Sequence, residues 1–145
     1  MKQSSLFDAI APIMIGPSSS HTAGAVRLGL LARNIFNDEI KKITFKLYNS
    51  YAQTGFGHGT DKGLLAGVLG LSVDDKRIKN IFNLPDAQNI NYSFEYLEDF
   101  NRHPNAVDFI IEKDNQKMLI SGDSVGAGNI RITKINEFSV NLAGD

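Results

Sequence analysis

The sequence contains no cysteine among its 145 residues and has no excess of basic over acidic side chains. Without cysteine, the chain forms no disulfide bond, has no thiol nucleophile and supplies no thiolate ligand to an iron–sulfur cluster. Lys and Arg number 15 against 16 Asp and Glu. This balance argues against binding to a nucleic-acid backbone, because such binding depends on an excess of positive charge.

Long apolar runs are also missing from the sequence. No run is long enough to span a bilayer. The apolar N-terminal stretch is interrupted by Asp8 and Pro12, unlike the continuous apolar region of a signal peptide. We therefore expect a cytoplasmic protein that does not bind membranes.

The hydrophobic pattern predicts a single α+β domain over residues 1–145. Apolar residues at helical spacing indicate a helix over 20–36, and apolar–polar alternation over 42–50 indicates a strand. A polar, glycine-rich loop should follow this strand, and two more helices should come after it, the second over 72–83 with Ser72 as its cap. The remainder has the pattern of successive strands, ending in an edge strand. We predict a mixed, mostly antiparallel sheet with helices packed on one side.

The stretch "GPSSSHT" places three serines, a histidine and a threonine at a predicted helix start, namely Ser18, Ser19, Ser20, His21 and Thr22. The first N–H groups of a helix have no intrahelical partner, and the helix dipole adds partial positive charge there. Together with the hydroxyl groups they are suited to hold a carboxylate or a phosphate. The simpler alternative is ordinary capping by one serine.

A second polar stretch, "GFGHGTDKG", has the same character. Its glycines allow close approach of the backbone to a ligand. His58 is a candidate for proton transfer, and Thr60, Asp61 and Lys62 are candidates for supporting contacts. The simpler alternative is a glycine-rich loop in which Thr60 caps the next helix. The spacing fits neither a P-loop nor a dinucleotide-binding fingerprint.

The third histidine lies in "RHPN", where His103 and Asn105 flank a proline. An ordinary turn explains this stretch on its own. No two of the three histidines have the close spacing typical of metal ligands, so we expect this chain to bind no metal.

Four stretches taken in order carry a resemblance to a known family. They are "IGPSSSHTAGAVRLG", "GFGHGTDKGLLAG", "RHPNA" and "SVGAGNIRITKIN". Over nearly the whole chain, they resemble the β chain, or β-type domain, of the iron–sulfur-dependent bacterial L-serine dehydratases. The family's β chain continues into an ACT-type domain, so the resemblance implies truncation before that domain. It also implies an α+β fold similar to the allosteric substrate-binding domain of phosphoglycerate dehydrogenase.

The resemblance further implies an L-serine ammonia-lyase that converts L-serine to pyruvate and ammonia and is active only with an α chain. A four-iron, four-sulfur cluster would be held by cysteines of that α chain, with none ligated here. The catalytic candidates are His58, His21 and His103, and the residues do not identify which of them, or which α-chain group, is the base. The substrate-binding candidates are Ser18, Ser19, Ser20, Thr22, Thr60, Asp61, Lys62 and Asn105.

Two other functions compete with this interpretation. The domain is alternatively a non-catalytic regulatory module that binds serine or another small anion. A self-contained serine hydrolase is a weaker alternative, because "SSSHT" lacks the G-x-S-x-G pattern of a nucleophile elbow. The sequence leaves open whether the chain forms a homodimer.

Overall fold

The computed structural model describes residues 20–55 and 59–144, and describes side chains from residue 22 onward. Four α-helices, one 3₁₀ helix and six strands occur in these residues. The helices are α1 (Ser20–Phe36), α2 (Ser50–Gly55), α3 (Gly59–Val68), the 3₁₀ helix (Lys76–Asn83) and α4 (Pro85–Gln88). The strands are β1 (Lys42–Asn49), β2 (Asn91–Leu97), β3 (Asn105–Lys113), β4 (Gln116–Gly126), β5 (Asn129–Ile135) and β6 (Phe138–Gly144).

All six strands belong to one sheet in the order β2-β1-β3-β4-β5-β6. The β1–β2 pair is parallel and the other four pairs are antiparallel. The predicted α+β class with a mixed, mostly antiparallel sheet is therefore confirmed. Strand β6 lies at an edge, as its position in the sequence suggested.

One face of the sheet carries the hydrophobic core. Strand alternation places Phe45 of β1, Phe109 of β3 and Ile120 of β4 on this face, and all three are fully buried. Helix α1 packs on the same face, since an added Cβ on Gly122 of β4 would meet the Leu28 side chain at 2.7 Å. The opposite face is polar along β1, where Thr44, Lys46 and Tyr48 alternate with the core residues.

Helices α1 and α3 cross at a seam of glycines. An added Cβ on Gly29 would lie 2.9 Å from the Cα of Gly67, and one on Gly63 would lie 2.9 Å from the Cβ of Ala25. Residue numbers increase in the same direction along both helices at these contacts, so the helices are parallel. Only glycine allows the two backbones to come this close.

Two predictions from the sequence are wrong in detail. The stretch after β1 is not a loop throughout, because Ser50–Gly55 forms α2. The segment predicted as a helix with Ser72 as its cap is instead the 3₁₀ helix, and Asp75 caps it by accepting a hydrogen bond from the Arg77 N–H. The Ser72 hydroxyl contacts Asp74 instead. Within the described ranges, no helix has the length and apolar content needed to cross a membrane.

Candidate active site

The candidate site lies at one end of the sheet, where β1 and β4 finish and β3 and β5 begin. We call it the site end and define it by Asn49, Asn105 and Ser124. Helix α1 starts over it, because an added Cβ on Gly24 would meet the Ser124 hydroxyl oxygen at 2.7 Å. Arg27 connects the same part of α1 to the turn between β4 and β5. Its guanidinium donates a 3.0 Å hydrogen bond to the carbonyl of Gly128.

Helix α3 starts at the same end. The contact between Gly63 and α1 includes the Thr22 carbonyl oxygen, 3.0 Å from an added Cβ. Because the two helices are parallel, both N-termini face the site end. The first N–H groups of a helix have no intrahelical partner, and the helix dipole adds partial positive charge there, so this end of the molecule is suited to an anion.

Several predicted site residues lie outside the described part of the chain. Ser18, Ser19 and His58 are not among the described residues, and for Ser20 and His21 only the helical backbone is described. Their neighbours in the chain, Thr22 and Gly59, begin the described parts of α1 and α3 at the site end. Roles for these five residues remain predictions.

The Thr22, Thr60 and Asp61 side chains are largely withdrawn from solvent at the starts of α1 and α3. The hydroxyl of Thr60 lies 3.2 Å from that of Thr54 in α2. Asp61 accepts a 2.8 Å hydrogen bond from the backbone N–H of Lys62. Burial, together with the nearby Asp61 carboxylate, raises the pKa of Tyr96. The first turn of α3 is therefore tied to α2 and β2.

Lys62 extends from this turn toward the 3₁₀ helix. Its ammonium group donates a 3.1 Å hydrogen bond to the Lys79 carbonyl. In this conformation, the Lys62 charge is held against the backbone of a neighbouring element.

His103 and Asn105 meet at the start of β3. The Asn105 N–H donates a 3.0 Å hydrogen bond to Nδ1 of His103, so neutral His103 carries its proton on Nε2 and presents an N–H donor. The side-chain Oδ1 of Asn105 is shielded from solvent and accepts no hydrogen bond from the described residues. A donor group and a shielded acceptor without a partner among the described residues thus lie two residues apart.

A polar network on the face of the sheet opposite the core supports the segment that carries His103, and sequence reasoning missed it. Arg102 donates two hydrogen bonds to Asp108, of 2.9 and 3.1 Å. The same carboxylate accepts bonds from the hydroxyls of Ser121, at 2.6 Å, and Tyr48, at 2.9 Å. The Arg102 guanidinium also lies 4.3 Å from the centre of the Tyr48 ring. No motif indicates these residues, because the pairing of β1, β3 and β4 brings them together.

The network shifts the titration of its members in opposite directions. Burial tends to raise the pKa of Asp108, but hydrogen bonds from Arg102 and Ser121 outweigh it and leave the pKa below the ordinary 3.8. Burial and the bond to Asp108 raise the pKa of Tyr48 to about 12. Asp123, beside Ala106 in the sheet, has a raised pKa because burial outweighs the nearby charges of His103 and Arg102. At neutral pH, Asp108 is ionised and Tyr48 is protonated.

The part of the chain that the structure describes does not fit a metal cluster. The sequence has no cysteine, and no group of three or more His, Asp or Glu side chains suited to hold a metal occurs in the described ranges. We therefore derive no chemical step through a metal bound by this chain.

Comparison with known proteins places this chain in a family. A family model described as "Serine dehydratase beta chain" matches residues 5–91. The chain is 41% identical over 145 residues to the probable L-serine dehydratase, beta chain, of Bacillus subtilis and 39% identical over 148 residues to the L-serine dehydratase, beta chain, of Peptoniphilus asaccharolyticus. In both cases, all of this chain is covered and 66% of the relative.

A third relative, L-serine dehydratase 2 of Escherichia coli, is 36% identical over 105 residues, which are 68% of this chain and 20% of that protein. The chain belongs to the serine dehydratase beta chain family. It spans about two thirds of the length of the two beta-chain relatives it matches.

Proposed function

We propose that this chain is the beta component of an L-serine dehydratase, which deaminates L-serine to pyruvate and ammonia together with an alpha chain. One observation carries the proposal: the parallel packing of α1 and α3 directs both helix N-termini to the sheet end that holds His103 and Asn105. The names of the beta-chain relatives favour the same activity.

The described groups match the demands of the substrate. L-Serine carries a carboxylate, an ammonium group and a hydroxyl. The N–H groups at the two helix starts would bind the carboxylate. The Oδ1 of Asn105, which has no hydrogen-bond partner among the described residues, would accept a hydrogen bond from the ammonium group. Nε2–H of His103 would donate to an oxygen atom of the substrate.

The reaction removes the proton on Cα and expels the β-hydroxyl. Proton transfer by a positioned side chain accelerates such a step by about 10²–10⁴-fold. His58 is the proposed group for this transfer, and His21 lies in the first turn of α1 at the same end. His103 is suited to donate rather than to accept, because its Nδ1 lone pair is already used by the Asn105 N–H.

A four-iron, four-sulfur cluster belongs in this proposal to the alpha chain, since this chain offers no cysteine. When bound, such a cluster would supply an electrophile for the leaving hydroxyl.

We further propose that the fold is of the same kind as the allosteric substrate-binding domain of phosphoglycerate dehydrogenase, supported so far by the shared α+β class. A homodimer and the cytoplasmic compartment stay predictions.

The test is reconstitution with a cysteine-containing alpha chain, followed by an assay of pyruvate formed from L-serine. We expect the pair to be active, the separate chain to be inert, and His58→Ala to lower turnover by about a hundredfold or more with the fold retained. Asn34→Ala, an exposed change on α1, is the control and should leave turnover unchanged. A normal maximal rate in His58→Ala with an altered serine dependence would instead support a regulatory domain.

A further inference from the structure

Asn49 ends β1 and lies opposite Asn105 in the register with β3. Its backbone is left-handed, with φ of 58°. Asparagine tolerates this conformation better than most residues. The left-handed turn ends the strand and leads directly into α2, while the side chain of Asn49 contacts the loop between β2 and β3.

The side-chain amide of Asn49 is the centre of that loop's hydrogen bonding. Nδ2 lies 2.9 Å from the Asp99 carbonyl oxygen, 3.3 Å from that of Arg102 and 3.1 Å from that of His103. Oδ1 accepts a 2.9 Å bond from the Asp99 N–H. One side chain thus fixes both the beginning and the end of the loop that carries His103.

The loop has little apolar packing to hold it otherwise. Phe100, near its tip, is 89% exposed. The remaining support is polar: Arg102 binds Asp108, and the Pro104 carbonyl accepts a 3.2 Å bond from the N–H of Tyr51. Because hydrogen bonds rather than core contacts hold the loop, losing the Asn49 bonds should change where the loop lies.

We propose that Asn49 is a positioning residue for His103: it holds the loop so that the Asn105 N–H meets Nδ1 and the Nε2–H is presented at the site end. The contribution to turnover rests on the proposed function, whereas the contribution to loop geometry does not. Misplacement of such a donor by about 1 Å lowers a rate by roughly a hundredfold.

Asn49→Asp is the sharpest variant. It keeps the size of the side chain, the tolerance for the left-handed backbone and the acceptor for the Asp99 N–H. It replaces the donor with a carboxylate oxygen facing three carbonyl oxygens. Asn136→Asp is the matched control, since Asn136 is also left-handed, at φ 54°, and its Oδ1 accepts a bond from the Leu119 N–H at the opposite end of the sheet.

The first measurement is nitrogen-15 NMR of the histidine rings in the full chain. We expect the His103 ring to lose its single Nε2–H tautomer in Asn49→Asp and to keep it in Asn136→Asp. If Asn49→Asp fails to fold, Asn49→Gly removes the side chain without straining the backbone and should give the same NMR change. An unchanged His103 signal would overturn the proposal. So would loss of folding in both Asn49→Asp and Asn49→Gly.

The second measurement is steady-state kinetics of the variants paired with the alpha chain. For Asn49→Asp we expect kcat to fall about tenfold to a hundredfold, with a much smaller change in KM, and wild-type kinetics for Asn136→Asp. Normal kcat despite a changed His103 signal refutes the contribution to turnover and leaves the proposed function standing. Absence of activity in the wild-type pair would instead count against the proposed function, while the NMR result still decides the loop geometry.

Discussion

Arg102 and Asp108 form a two-bond ion pair on the face of the sheet opposite the core, with distances of 2.9 and 3.1 Å. Only a quarter of the Arg102 side chain and a tenth of the Asp108 side chain are exposed. Removing one partner of such a pair leaves the other charge poorly solvated, which costs more than the pair contributes when intact.

Asp108→Asn should therefore lower the free energy of unfolding by about 2 to 4 kcal/mol at pH 7. Since the pKa of Asp108 is below 3.8 in the folded chain, the stabilisation is fully present above that value and is lost as the pH falls through the folded pKa. Urea unfolding between pH 2 and pH 7 should show a smaller difference between variant and wild type at the acid end.

The control for that change is Glu39→Gln, which breaks the exposed pair between Glu39 and Lys41. It should leave stability nearly unchanged, because solvent screens exposed pairs. An equal loss from both variants would contradict the importance of burial at Asp108.

Asp123 should respond in the opposite direction. Burial raises its pKa above 3.8, so its ionisation disfavours the folded state as the pH rises from 3.8 toward the folded pKa. Asp123→Asn should raise the free energy of unfolding at pH 7, by no more than about 1 kcal/mol because solvent screens the partly exposed group. The gain should vanish below pH 3, and a loss of stability at pH 7 would refute the prediction.

The neutral ring of His103 should be a single tautomer. Its Nδ1 accepts from the Asn105 N–H, so the proton belongs on Nε2. Nitrogen-15 NMR identifies which ring nitrogen carries the proton, and His103→Gln assigns the signal. A dominant Nδ1–H form would contradict the hydrogen bond.

Gly67→Ala should destabilise the fold through the seam of α1 and α3. An added Cβ would overlap the Val26 carbonyl oxygen and lie 2.7 Å from the Leu30 nitrogen. Overpacking against backbone should cost about 2 kcal/mol or more, even though alanine favours a helix by about 1 kcal/mol. Thermal unfolding measures the loss, and Asn34→Ala on the exposed side of α1 should not reproduce it.

Much of the fold could be predicted from the sequence because its signals are local. The helical spacing over 20–36 and the alternation in β1, β2 and β5 indicate directly which residues face the core. Helix α2 was missed because glycine and polar residues around it favour a loop. The parallel β1–β2 pair was missed because no local pattern reports which strand β2 joins.

The candidate site also has one part that local sequence motifs indicate and another part that they do not. Runs such as "SSSHT" and "GHGT" stand out because each places an imidazole next to one or more hydroxyl groups at a helix start. Asn49, Arg102 and Asp108 give no such signal, since Asn49 contacts the His103 carbonyl and Tyr48 contacts Asp108 across more than 50 positions of the chain. The close approach of α1 and α3 could not be predicted either, because a glycine within a helix does not indicate which element packs against it.

Strand β1 lies between β2 and β3, and both neighbours come later in the chain, from Asn91 and Asn105 onward. During synthesis, both hydrogen-bonding edges of β1 therefore wait for more than 40 residues to be made. This delay makes β1 the segment most open to mispairing with another nascent chain. Sequestration of β1 by a chaperone until β3 is made should raise the yield of folded protein.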